Sequence, residues 1–111
     1  MHIFAIVWHP NDKWEALDEG DKLKYLKTLD DYIRPGRAAG AIVLGWGEID
    51  RTLAKAPKEG FIGVFGVDSA EQLHAFEEIV AESNWYEYFD STNFGIHLQG
   101  ATAPEPHKIY A

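Results

Sequence analysis

Apolar and polar positions divide this chain into alternating strand-like and helix-like segments. Residues 2–8 (His-Ile-Phe-Ala-Ile-Val-Trp) form a run of β-formers closed by His9-Pro10-Asn11-Asp12, which predicts a first strand and a turn. A helix is expected from Asp18, a capping residue, with Glu19 and Asp21 at the positive end of the helix dipole. Leu23, Leu26, Leu29, Tyr32 and Ile33 follow at helical spacing and give it one apolar face. Pro35-Gly36 is expected to stop that helix, or to kink its last turn before Gly40. Residues 41–49 predict a second strand, a polar connection runs from Asp50 to Gly60, and residues 61–67 predict a third strand.

The second helix has the clearest start. Ser69 followed by Gln72 suits a capping box, with Asp68 adding negative charge, and Leu73, Phe76, Ile79 and Val80 form its apolar stripe. The aromatic segment 84–90 predicts a further helical turn, and residues 93–99 alternate as a fourth strand. The order is βαββαβ, so the expected fold is α+β and ferredoxin-like: a four-stranded antiparallel sheet with two helices on one face. Residues 1–100 form the domain, and residues 101–111, with Pro104 and Pro106, form an extended tail.

An antiparallel sheet with one wet face should alternate apolar and polar residues. The first three strands are instead almost continuously apolar. Two helices cover one face, so a second copy of the sheet is expected on the other, which makes the protein a homodimer.

This pattern resembles the dimeric α+β barrel superfamily, which includes muconolactone isomerases and antibiotic-biosynthesis monooxygenases. Ser69-Ala-Glu-Gln-Leu-His74, then Asn84-Trp-Tyr-Glu-Tyr-Phe89 and a final strand, are similar to the second half of such domains. Trp8, Trp14-Glu-Ala-Leu17 and Leu44-Gly-Trp-Gly47 resemble an uncharacterised bacterial branch. The resemblance covers residues 1–99. It implies a pocket between sheet and helices in each subunit, and it carries over no catalytic residue. Its members include cofactor-free oxygenases, isomerases, cyclases and haem-degrading enzymes, so fold does not specify chemistry here.

Composition narrows the choice. Eighteen acidic against ten basic residues give a net charge of −8, which repels phosphate backbones and argues against nucleic acid. No segment reaches the roughly 20 apolar residues that span a bilayer. The run at residues 2–8, with only Met1 before it, is too short for a signal sequence. There is no cysteine. A cytoplasmic protein without membrane contact is therefore expected. No phosphate-binding loop or metal-ligand spacing occurs, so no metal and no cofactor are expected.

The remaining candidates are individual side chains. His97 shares a predicted strand face with Asn93, Gly95 and Gln99, where Gly95 leaves room for a ligand; the histidine suits a general base or an interface position. Glu48, on a strand with Trp46, and His9, at the end of the first strand, are further candidate catalytic groups. Trp46, Trp85 and Tyr88 are expected to hold a flat organic ligand, with Asn93 hydrogen-bonding a developing oxyanion. His2 and His107 are expected in solvent. His74 sits on the helix that carries the ligand histidine of haem-degrading relatives, although its surroundings do not match theirs. The expected function is a cofactor-independent oxygenase, isomerase or cyclase acting on an aromatic or polyketide-like molecule by proton abstraction. The alternatives are a non-catalytic dimeric binder of small molecules and, last, a haem-handling protein. Catalyst and binder separate on whether the pocket holds a strong base.

Overall fold

In a computed structural model, residues 1–38 and 40–100 are described. Eight elements follow one another: β1 (His2–Pro10), α1 (Asp12–Glu15), α2 (Glu19–Ala38), β2 (Ile42–Glu48), β3 (Phe61–Val67), α3 (Ala70–Glu82), α4 (Trp85–Tyr88) and β4 (Phe89–His97). The sheet order is β2-β3-β1-β4, and every neighbouring pair is antiparallel. The α+β, ferredoxin-like arrangement expected from the pattern is the one formed.

Local chemistry sets most boundaries. Asp18 caps α2, its carboxylate accepting from the Asp21 N–H at 2.7 Å. Ser69 caps α3 by accepting from the Gln72 N–H at 3.1 Å, while the Gln72 side chain reaches back to the Asp68 N–H at 2.7 Å. Pro35 does not stop α2. The helix continues to Ala38 and is closed by two reverse-wrapped bonds, Gly40 N–H to the Arg37 carbonyl and Ala41 N–H to the Gly36 carbonyl. That Schellman closure needs a left-handed residue, and Gly40 supplies it at φ +110°.

Three elements depart from expectation. The turn after β1 contains a short helix, α1, capped by Asn11, whose Oδ1 accepts from the Lys13 and Trp14 N–H groups. Strand β4 begins at Phe89 rather than 93, because pairing with β1 extends to Pro10↔Phe89. Strand β2 carries a bulge between Val43 and Gly45, with Gly45 at φ +146°. Gly45 therefore serves the backbone. The bulge also breaks the single face on which Ile42, Leu44, Trp46 and Glu48 would otherwise lie. The expected tail, 101–111, lies outside the described residues.

Register assigns the faces. Phe4, Ile6 and Trp8 lie opposite Phe65, Gly63 and Phe61, and with Val67, Leu73 and Phe76 they build the helix-side core. Opposite Phe4 on the other side stands Gly95. A Cβ at Gly95 would lie 2.9 Å from Leu73 Cδ2, so this glycine admits the α3 helix. The room expected there for a ligand is occupied by Leu73. The other face of the sheet presents Ile3, Ala5 and Val7 along β1. Phe94 and Ile96 on β4 and Ile42 on β2 stand 46%, 39% and 53% exposed around them.

Gly95→Val should therefore destabilise the fold by about 1–3 kcal/mol, the ordinary cost of overpacking a core. Urea unfolding should show a lower midpoint with an unchanged slope.

Candidate functional site

Although α2 crosses the helix side of the sheet, none of its residues is fully buried. It is held at its two ends. Near its C-terminus, Gly36 lies against Phe76 and Ile79 of α3. Near its N-terminus, Tyr25 meets the rings of Trp14 and Tyr88 at centroid distances of 5.9 and 4.9 Å. Asn11 fixes this end in turn. Its side-chain amide donates to the Glu87 carbonyl at 2.8 Å and its backbone N–H donates to the Tyr88 carbonyl at 3.0 Å.

Between the two clamps lies a cavity of about 430 Å³. Its floor is the sheet, with Ile6, Trp8, Phe61, Phe65 and Phe89. Leu26, Leu29 and Ile33 of α2 form one wall, and Phe76, Ile79 and Val80 of α3 form another. Trp14 and Trp85 close the end, while Trp46, 73% exposed, stands at the mouth. The apolar stripe of α2 thus faces a cavity rather than a packed core, and Leu23 and Tyr32, expected on that stripe, are exposed. Size and lining match those of small-molecule pockets.

Tryptophan rings set the inner end. Trp85 stacks on Phe89 at 4.1 Å and meets Trp8 edge-on at 5.1 Å, and its indole N–H donates to Ser91 Oγ at 3.0 Å. Ser83, 2% exposed, is the one lining side chain that bears a hydroxyl, which donates to the Val80 carbonyl at 2.6 Å. None of the lining side chains is ionisable.

The residues singled out in the sequence fall into two sets. Trp46 and Trp85 line the cavity, and His97, Glu48, His9, Tyr88 and Asn93 do not. His97 pairs across the strands with His2, their Nδ1 atoms 2.6 Å apart, so His2 is not simply in solvent. Glu48 is exposed at the end of β2, opposite Phe61. His9 Nε2 lies 3.3 Å from the Asp90 carboxylate, with both side chains more than half exposed. Asn93 donates to the Tyr86 hydroxyl at 2.7 Å, and Tyr86 donates to Glu77 at 2.9 Å. Tyr88 packs against the α2 clamp. His74 is exposed on α3. Among the described residues, no group of three or more His, Cys, Asp or Glu side chains is placed to hold a metal ion.

Nothing in the sequence marks Ser83 or Tyr25, because only tertiary packing brings α2 to the end of α3. The Tyr25 hydroxyl is shielded from solvent without a hydrogen bond of good geometry, although Ser83 adjoins it. Desolvation pushes this phenol up to about 12. The Ser83 hydroxyl partly offsets that rise, and the Tyr88 and Glu87 charges add to it.

The chain belongs to a family of unknown function, DUF6616, whose sequence profile matches residues 1–104. No curated protein matches it in sequence. Among solved structures it is similar to the protein At3g17210 from Arabidopsis thaliana, with a TM-score of 0.60 and 10% identity over 93% of this chain and all of that one. It is also similar to a dimeric ferredoxin-like protein of unknown function from Thermobifida fusca, with a TM-score of 0.52 and 16% identity over 88% of this chain and 92% of that one. At such identities the likeness is one of fold.

The raised Tyr25 phenol has a consequence at high pH. The folded chain holds the proton more tightly than the unfolded chain, so this contribution to stability is complete below about pH 10 and is lost as pH rises towards 12. Tyr25→Phe should flatten that part of the melting-temperature profile and leave the neutral region little changed.

Proposed function

We propose that this member of the DUF6616 family is a homodimeric protein that binds an apolar, ring-bearing small molecule in the cavity between its sheet and its helices. One observation carries the reading: a cavity of about 430 Å³ is walled by aliphatic and aromatic side chains, with one hydroxyl and no ionisable group. Proton abstraction needs a base within hydrogen-bond reach of the substrate. The wall's composition therefore supports a binder over the oxygenase, isomerase or cyclase expected from the sequence. Trp46 and Trp85 keep the ligand-holding role assigned to them, joined by Trp8 and the aliphatic faces of α2 and α3.

The homodimer is supported by the second face of the sheet, where Ile42, Phe94 and Ile96 are exposed apolar neighbours of a hydrophobic central strand. It is supported too by the likeness to the dimeric Thermobifida protein. The assignment to the dimeric α+β barrel superfamily, on the residues quoted above, belongs to the same proposal. No helix among the described residues is long and apolar enough to cross a membrane. A cytoplasmic location is proposed on the absence of cysteine.

Two measurements test the reading. Sedimentation should give twice the 12.5 kDa chain mass, and Phe94→Glu, which places a charge in the sheet-to-sheet contact, should yield a monomer or loss of the fold. A wild-type monomer at micromolar concentration would refute the dimer. Separately, the neutral fluorophore N-phenyl-1-naphthylamine should bind with an emission increase. Trp46→Ala should weaken it at least roughly fivefold, as loss of an aromatic anchor does, with a stability change within about 0.5 kcal/mol. Unchanged affinity would remove Trp46 from the site.

A further inference from the structure

The cavity and its mouth differ in what they offer a ligand. None of the lining side chains is ionisable, so a charge carried inside would lose its hydration and gain no counter-charge. A charged ligand can therefore enter only with its apolar body inward and its charged group left at the mouth. The sign of the charge accepted there depends on the residues around Trp46.

Register places those residues. Beyond the bulge in β2, Trp46 pairs with Gly63 and Glu48 with Phe61. A Cβ at Gly63 would meet the rings of Trp8 and Phe65, so this is the helix side of the sheet, the face that floors the cavity. Trp46 and Glu48 thus share that face at adjacent same-side positions, about 6.6 Å apart along the strand. Both are exposed, and Glu48 stands opposite the floor residue Phe61.

Glu48 is also uncommitted. Among the described residues its carboxyl group forms no ion pair and no hydrogen bond. The basic groups that could have answered it are engaged elsewhere. Arg51, at the start of the β2–β3 connection, donates to the Lys58 carbonyl at 3.3 Å. Arg34, next to the lining Ile33, is held by Asp30 and Asp31 at 2.9 and 3.2 Å. Beside it, Trp46 presents a ring that is 73% exposed, and the face of an indole attracts a cation.

From this juxtaposition we infer that the ligand is a cationic amphiphile: an apolar ring system seated in the cavity, with an ammonium group on a short arm held at the mouth between Trp46 and Glu48. The inference rests on the binder reading and narrows it. It also gives Glu48 a role outside the cavity, in recognising charge rather than in moving a proton.

The experiment compares three ligands of one shape: 1-naphthaleneethylamine, an ammonium ion at neutral pH, the neutral 1-naphthaleneethanol, and the anion 1-naphthaleneacetate. Affinity is read by calorimetry at neutral pH and low salt, on the wild-type protein and on Glu48→Lys. An apolar cavity with no charge selection binds the neutral alcohol best, because that compound loses least hydration. The expected wild-type order is amine, alcohol, acid, with the amine preferred over the alcohol by roughly three- to tenfold, the combined worth of one exposed ion pair and one cation–π contact. Glu48→Lys, a surface exchange, should abolish the preference for the amine and strengthen binding of the acid. Wild-type binding of the alcohol or the acid as tight as that of the amine overturns the inference and leaves the binder reading standing. So does an amine preference unchanged in Glu48→Lys, which would trace it to the net charge of the whole chain. Failure of all three compounds to bind the wild type overturns the binder reading itself, and the inference with it.

Discussion

The geometry of this domain depends on a wedge of aromatic rings at one end of the sheet. Trp14, Tyr25, Tyr88 and Phe89 pack edge-on or tilted, with centroids between 4.8 and 6.4 Å apart. Such rings bring large apolar area and well-defined contact angles. The wedge stands between α2 and the sheet, so the helix rests on rings rather than on the strands. Asn11 secures it by tying the end of β1 to α4, the element that carries Tyr88. At the opposite end Gly36 lets α2 approach α3. A helix propped at one end and pinned at the other leaves space beneath its middle, and that space is the cavity.

Small residues decide what fills the rest of the helix side. Gly95 makes room for Leu73, which brings α3 down onto the sheet. Gly63 lies beneath Trp8 and Phe65, with a Cβ at that position 3.4 and 3.3 Å from their rings. The α3 half of the layer is consequently the more closely packed, with Leu73 and Phe76 buried, while no residue of α2 is fully buried. The two helices differ in role although both carry an apolar stripe: one closes the core and the other roofs a pocket.

Trp46 and Trp85 were singled out because amphipathic aromatics suit a pocket, and both line the cavity. His97 was singled out because a histidine beside a glycine on a polar strand face suits a base. Its partner is His2 of the neighbouring strand, and the glycine accommodates Leu73. Strand alternation places a side chain on a face, but it does not say which helix residue descends onto that face. Ser83 and Tyr25 carry no motif, since a serine at a helix end and a tyrosine on a helix are common features.

The sequence by itself determined the βαββαβ order, the helix caps at Asp18 and Ser69, the two faces of β4 and the excess of apolar surface on the sheet. Each of these follows from short-range periodicity and backbone hydrogen bonding, which neighbouring residues settle among themselves. The tertiary structure alone decided that β2 bulges at Gly45 and that α2 stands off the sheet. These outcomes depend on contacts between residues far apart in the chain, where the shape of one ring against another determines how closely two elements approach.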